Sequence, residues 1–411
     1  MEASSTDQPC RACGKAELSI FLDLGYTPIA DRLVKQQQLS ELEPSFPLEV
    51  AMCSGCGMVQ ILETVDPEIL FSSDYPYFSS FSDYLLKHSK ENVLDIIKRR
   101  ELDENSLVVE LASNDGYLLK NYVEHGIPVQ GIDPADGPVK AANDIGVSTL
   151  HAFFTLNLAK ELLAKGIRAD VIHANNVLAH VADTNGFVEG IATLLKDDGV
   201  AVIEAPYCKD LIDNLEFDTI YHQHLLYVTV TSLDHLFRSH GLYLNEVKRL
   251  TLHGGSLRLY VEKVERADHS VKEMLAMEKR EGLDSLSYYV DFSERVSNLK
   301  QSLFTLLTDL KAQGKSIAGY GAAAKGCTLL NYVGITNEMI DFIADRNHHK
   351  QGQYMSGVQI PIVDPTKILE DMPDYILILP WNVSKEILSQ QAEYRKNGGK
   401  FIIPIPEPII V

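Results

Sequence analysis

Over nine residues, Glu216-Phe-Asp-Thr-Ile-Tyr-His-Gln-His224 sets two imidazoles and a phenol beside two carboxylates. Imidazole titrates near neutral pH, so a histidine here suits taking a proton from a weakly acidic carbon. A phenol such as Tyr221 can hydrogen-bond the oxygen on which the resulting charge collects. Clustered titratable groups also occur in ordinary loops with satisfied histidines, so the surroundings decide. A second cluster points to metal. Cys10-Arg-Ala-Cys13 and Cys53-Ser-Gly-Cys56 are C-x-x-C knuckles, followed directly by Gly14 and Gly57. Two residues between thiolates aim both sulfurs at one ion, and four thiolates complete tetrahedral zinc with no position left for water. Such a closed site supports folding and performs no chemistry. A redox C-x-x-C is the weaker reading, because those motifs come singly beside a βαβ pattern.

These clusters need a scaffold. A chain of 411 residues suggests two or three domains at roughly 150 residues each. With 45% hydrophobic and 23% charged residues it reads as soluble and globular. The formal charge of −20 argues against a general affinity for nucleic acid, which needs cationic surface. No uncharged apolar run approaches the roughly 20 residues that span a bilayer. The first residues lack the basic and apolar regions of a signal peptide, and Cys208 and Cys327 are isolated, which is no disulfide framework. The expectation is a cytoplasmic protein.

Between the knuckles, 21–30 and 46–53 read as short strands of a metal-binding insert. Asp74-Tyr-Pro-Tyr-Phe-Ser-Ser-Phe-Ser82 is dense in rings and hydroxyls: either a surface loop or a lid carrying Tyr75 or Tyr77 to a pocket. A helix-like stretch follows to Arg100. Strands are expected at 106–112, 129–132, 170–176 and 199–206, with helices at 117–123 and 184–195. That alternation predicts a doubly wound parallel sheet, with ligands beyond its carboxyl ends. The first turn has no G-x-G-x-x-G. It reads Glu110-Leu-Ala-Ser-Asn-Asp-Gly116, and Asp133 ends the second strand, where a carboxylate accepts ribose hydroxyls. Further on, Thr251-Leu-His-Gly-Gly-Ser256 is a flexible turn leading into a strand. Residues 267–313 read as helix broken near Gly282, a spacer or brace. Ser316-Ile-Ala-Gly-Tyr-Gly-Ala-Ala-Ala-Lys-Gly326 runs from strand to glycine turn to helix, a weak phosphate motif. Strand candidates at 340–345 and 375–380, with Trp381-Asn382 at a strand end, complete a second Rossmann-like layer.

The Glu110–Gly116 turn with Asp133 resembles motifs I and II of class I S-adenosylmethionine-dependent methyltransferases. That resemblance implies Glu110, Ser113, Asn114 and Gly116 on the methionine and ribose side, Asp133 on the ribose, Phe153 or Phe154 beside the adenine, and Asn175 and Asn176 closing over the cofactor. An α/β sheet serving another nucleotide is the alternative. Over nearly the whole chain, the order C-x-x-C…C-x-x-C, Tyr-Pro-Tyr, Glu-Leu-Ala-Ser-Asn-Asp-Gly, Tyr-His-Gln-His, His-Gly-Gly-Ser-Leu-Arg and Gly-Tyr-Gly-Ala-Ala-Ala-Lys-Gly resembles the sugar C-methyltransferases of deoxysugar biosynthesis.

The wider resemblance implies an α/β protein in three parts: a zinc-binding domain (1–70), a methyltransferase domain (71–262) and a C-terminal Rossmann-like domain for the sugar nucleotide (263–411). It implies S-adenosylmethionine, structural zinc, and methylation at C3 of a nucleotide-linked 4-keto-6-deoxyhexose, usually on thymidine diphosphate. His224 would be the base, and Tyr221 with Tyr75 or Tyr77 would hydrogen-bond near the ketone. His253, Gly255, Ser256, Tyr207, Arg258 and Lys325 would hold the sugar and its diphosphate, and His222 would be packed. The family usually reads Tyr-His-Glu-His. Gln223 stands here in place of the acid and can orient a substrate but not act as a carboxylate base. No nucleic-acid or membrane partner is expected, and the assembly is a monomer or small homo-oligomer. An O- or N-methyltransferase, which needs no enolising base, and a non-catalytic zinc-ribbon scaffold are the competing readings.

Overall fold

The computed structural model describes residues 4–70 and 78–411. Three sheets follow one another along the chain. The first is antiparallel, built from β1 (Ser4–Thr6), β2 (Leu18–Pro28), β3 (Ser45–Cys53) and β4 (Val59–Ile61). Leu18, Leu22, Val50, Met52 and Val59 are buried within it.

The middle sheet takes β5 (Val108–Leu111), β6 (Val129–Asp133), β7 (Thr149–His151), β8 (Ala169–Asn175) and β9 (Leu195–Pro206). The chain then places β10 (Leu226–Tyr227) against β4 of the first sheet before returning with β11 (Tyr243–Leu250) and β12 (Ser256–Glu262). The order is β7-β6-β5-β8-β9-β12-β11. β5 to β9 are parallel, and β12 runs antiparallel to both β9 and β11. All four residues of β5 are buried, as a strand covered on both faces requires. The strand order reverses between β5 and β8, so ligands belong beyond their carboxyl ends. The parallel part is doubly wound, as expected.

The third sheet has β13 (Ile317–Tyr320), β14 (Ile343–Ala344), β15 (Ile362–Val363), β16 (Tyr375–Ile378), β17 (Lys400–Ile403) and β18 (Ile409–Ile410), in the order β15-β14-β13-β16-β17-β18. Only β18 is antiparallel. The helices His269–Glu281 and Phe292–Ala312 connect the second and third sheets, and Gly282 ends the first of them in the left-handed region (φ 79°). Glu278 is fully buried and accepts from the N–H groups of Val230 (2.8 Å) and Thr231 (2.7 Å). It thus places a carboxylate at the N-terminus of helix Val230–Ser239, where the dipole favours it. The brace is bolted to the middle unit.

Two expectations shift. The helix after the first turn is regular only over Lys120–Val123, and β9 begins at Leu195, so the preceding helix stops at Leu194. Among the described residues, no helix is long and apolar enough to cross a membrane.

Candidate active site where the three sheets meet

The two cysteine knuckles are built alike. Gly14 N–H donates to Cys10 O (2.9 Å) and Gly57 N–H to Cys53 O (2.8 Å), and both glycines sit at φ 73°. Cys10 Sγ lies 3.6 Å from Cys56 Sγ, and Cys13 Sγ 3.6 Å from Cys53 Sγ. All four sulfurs fall within 4.8 Å of one another. Sulfurs bound at about 2.3 Å in a tetrahedron stand roughly 3.8 Å apart, so Cys10, Cys13, Cys53 and Cys56 fit zinc.

The cofactor turn is held under strain. Ala112 and Asn114 occupy the left-handed region (φ 55° and 49°), as does Asn176 at the end of β8 (φ 54°). Such backbone in non-glycine residues is kept where surrounding structure over-determines it, often at ligand sites. Gly116 (φ 76°) also has Val147 carbons 3.1 Å from where a Cβ would stand. Asp133 fixes the turn, accepting from Asn114 N–H through Oδ2 (2.8 Å) and from Ala135 N–H through Oδ1 (2.8 Å). Around it, Glu110 Oε2, Asp115 Oδ1, Asn175 Oδ1 and Asn176 Oδ1 are buried without partners among the described residues. Four orphaned acceptors suit a ligand carrying an ammonium and an exocyclic amine, as S-adenosylmethionine does. Phe153 is exposed, whereas Phe154 packs against Phe187 (5.5 Å). Ser113 is turned onto Gly131, where a Cβ would lie 2.5 Å from its Oγ.

Burial, then the neighbouring Asp133 and Asp115, push the Glu110 carboxyl well above its usual range. An arriving cation relieves that repulsion, while a proton competes for the same oxygens. We expect cofactor affinity to fall as pH is lowered, and Glu110→Gln to weaken binding by about 10- to 100-fold while flattening the pH dependence. Titration calorimetry across pH reads both; a pH-independent wild-type affinity would contradict it.

The segment after the undescribed 71–77 is tied to the same turn. Ser79 N–H donates to Asn114 Oδ1 (2.9 Å) and Ser80 N–H to Asp115 Oδ2 (3.1 Å), while Phe78 stacks on His349 (6.1 Å). Tyr75 and Tyr77 themselves lie outside the described residues.

The reactive loop is anchored at both ends. Its far end enters the first sheet through β10, with Ile61 N–H donating to Leu225 O (3.1 Å). His222 is fully buried against Phe46, with Nε2 3.2 Å from Pro47 O, and has the packed role expected. His224 is different. Its Nδ1 is 2.9 Å from the Thr219 carbonyl, which can only accept, so the proton sits on Nδ1. Nε2 therefore keeps its lone pair and accepts from Tyr221 O–H (2.9 Å). Both rings are half-buried. Gln223 is buried between them, and neither atom of its amide has a partner among the described residues. An unpaired buried amide is costly unless something later fills it.

One neighbour was missed from the sequence. His180 ends the short turn Leu178–His180, and its ring lies edge-on 4.8 Å from His224. Burial pulls its pKa down to about 4, so it is neutral at pH 7 and does not oppose a positive charge on His224.

Three residues expected to hold substrate have partners within the chain. Arg258 Nε donates to Glu204 (2.6 Å), which also meets His88 Nε2 (2.9 Å), because register sets Arg258 opposite Glu204 across β12 and β9. Burial would raise Glu204, but His88 and Arg258 outweigh it and hold its carboxyl low. Tyr207 O–H donates to buried Glu278 (2.7 Å). Lys325 donates to Asn382 Oδ1 (3.0 Å) and lies over the Trp381 ring (4.5 Å).

Ser256 is buried and donates to Leu252 O (3.0 Å). Gly254 and Gly255 stand at φ 100° and 146°, and a Cβ on them would overlap the carboxylates of Glu216 and Asp210. The side chain of His253 between them and Leu252 is outside the described atoms. Gly255→Ala should cost roughly 2–4 kcal/mol, through clash plus backbone strain. A urea midpoint unchanged from the parent would contradict this.

A model for a C-methyltransferase C-terminal domain matches residues 251–406, one for a zinc binding domain residues 10–71, and one for a methyltransferase domain residues 85–247. The chain is 35% identical over 406 residues to C-methyltransferase NovU of Streptomyces niveus, covering 98% of this chain and 96% of that one. It is 30% identical over 101 residues to a ubiquinone biosynthesis O-methyltransferase of Bartonella quintana (strain Toulouse), covering 24% of this chain and 41% of that one. Magnesium protoporphyrin IX methyltransferase of Synechocystis PCC 6803 aligns at 15% identity and a TM-score of 0.35, over 44% of this chain and 83% of that chain.

Proposed function

As the chain belongs to the S-adenosylmethionine-dependent C-methyltransferases with an N-terminal zinc-binding domain, we propose that it methylates C3 of a nucleotide-linked 4-keto-6-deoxyhexose. Thymidine diphosphate is the expected carrier, and the reaction belongs to deoxysugar biosynthesis in the cytoplasm. The observation that supports this reading most is the hydrogen-bonding of His224: Nδ1–H donates to the Thr219 carbonyl, so Nε2 carries the lone pair, which accepts from Tyr221 O–H.

A C–H next to a ketone is acidic because its anion spreads onto oxygen. Nε2 takes the C3 proton, and the C–H electron pair becomes the enolate double bond as charge moves to the C4 oxygen. Tyr221 turns its O–H from Nε2 to that oxygen and stabilises the charge. S-adenosylmethionine, when bound, would supply an electrophilic methyl group: its S–CH3 bond would break as the bond to C3 forms, the electron pair going to sulfur and S-adenosylhomocysteine leaving. His224 is left as an imidazolium, tolerated because His180 is neutral. Gln223, with both amide atoms unpaired, is placed to hydrogen-bond a polar substituent of the sugar. The diphosphate would lie along the loop after β14, where Lys350 donates to Ala322 O (2.6 Å) in the glycine turn and Arg346 stands exposed.

Incubation with the thymidine diphosphate 4-keto-6-deoxy sugar and methyl-carbon-13 cofactor tests this directly. The expected product carries the labelled methyl on a carbon bearing no hydrogen. Label on oxygen or nitrogen, or no transfer to any nucleotide 4-keto sugar, would contradict it.

A further inference from the structure

The turn Phe217–Thr219 directly precedes the reactive loop, and its last carbonyl fixes the His224 tautomer. Its outer side is held by the third sheet's unit. Trp381 Nε1–H donates to Asp218 Oδ2 (2.8 Å), and Thr328 O–H donates to Ile220 O (3.0 Å). Phe217 meets the Tyr332 ring edge-on at 5.3 Å. Lys325, in the first turn of helix Ala324–Val333, lies over the Trp381 indole and is held there by Asn382. Burial raises Asp218 to about 6, and the charge of Lys325 keeps it from rising further.

Asp218 is fully buried, and its Oδ1 has no partner among the described residues. The one side-chain donor to this closed carboxylate among the described residues is the indole N–H, helped by the backbone N–H groups of Asp218 and Thr219, so its desolvation is only partly offset. Its place in the fold offers another use. Lys325, at the start of helix Ala324–Val333, acts on this carboxylate of the same chain.

We propose that Asp218 is a positioning residue: through Trp381 it ties the reactive loop to the C-terminal unit and so sets the Thr219 carbonyl that keeps His224 in its basic tautomer. The inference rests on His224 being the base. It assigns Lys325 and Trp381 to the clamp and not to the substrate's diphosphate.

The test compares Trp381→Phe, Asp218→Asn, Asp218→Ala and the Trp381→Phe/Asp218→Ala pair. Each is read by kcat, by both KM values, and by solvent deuterium entering substrate C3 without cofactor. Trp381→Phe keeps a ring and removes the donor. It should slow kcat and exchange by about tenfold with both KM values nearly unchanged, because only the geometry of the base is lost. Asp218→Asn should stay within about threefold of the parent, since its amide oxygen still accepts the indole N–H. The double variant should be no slower than Asp218→Ala alone, as residues acting as one unit require. A rise in sugar KM at constant kcat would overturn the proposal and return the cluster to substrate binding. Independent, additive losses would overturn it too. If Asp218→Ala does not fold, Trp381→Phe and Asp218→Asn still decide. Absence of exchange in the parent enzyme would instead defeat the reading of His224, and the clamp with it.

Discussion

Replacing His224 with asparagine should lower kcat by about 10³-fold while leaving cofactor affinity within about twofold of the parent. The amide can still donate to the Thr219 carbonyl and fill the space, but it has no lone pair of comparable basicity where Nε2 stands. Catalysis by a positioned base contributes about 10²–10⁴-fold, and the asparagine removes nearly all of it. Cofactor binding is spared because the acceptors that fit it belong to the β5, β6 and β8 strand ends, not to this loop. Tyr221→Phe should cost less, about tenfold, because it removes one donor to the enolate oxygen and leaves the base. Parallel rate and binding measurements check both. Near-parental rates for the asparagine variant would point to methylation of an oxygen or nitrogen, which needs no carbanion.

Removing the metal should be nearly as damaging, by a different route. Structural zinc contributes about 10 kcal/mol or more of folding free energy in small zinc domains. Here it closes the only end of the first sheet at which both knuckles meet, with Cys53 itself the last residue of β3. Chelation, or Cys53→Ser, should unfold that sheet and lower the thermal midpoint sharply. Activity should go with it, because β4 pairs with β10 immediately after His224, and Pro47 and Phe46 hold His222 within the loop. Amide exchange should show the loss at Ile61 and across β10 before the middle sheet opens. A metal-free enzyme of full activity would refute this coupling.

Much of the site was legible because it depends on short-range chemistry. The knuckles need only two cysteines and a glycine each, and the strand, turn and acid of the cofactor site carry their own punctuation. The packing of His222 rests on Phe46 and Pro47, which the local sequence does not place beside it. What escaped depends on which strand lies beside which. His180 sits in Val177-Leu-Ala-His180, an unremarkable apolar run, and reaches His224 only because Leu225 N–H donates to Ala179 O (2.6 Å). A histidine four residues beyond the Asn175-Asn176 strand end was the one available signal. Arg258 looked free to bind an anion until register set Glu204 across from it. Lys325 looked free until Asp218, more than a hundred residues earlier, brought Trp381 over it. Strands such as β10 and β15 have two residues each, too few for alternation to show.

The proposed mechanism requires a carbon nucleophile to form before any methyl group moves. The most direct measurement holds enzyme and the thymidine diphosphate 4-keto sugar in heavy water without S-adenosylmethionine and follows the C3 proton by NMR. The C3 signal should fade with the parent enzyme and persist with His224→Asn. A C3 proton that survives with an enzyme competent to methylate that sugar would contradict it.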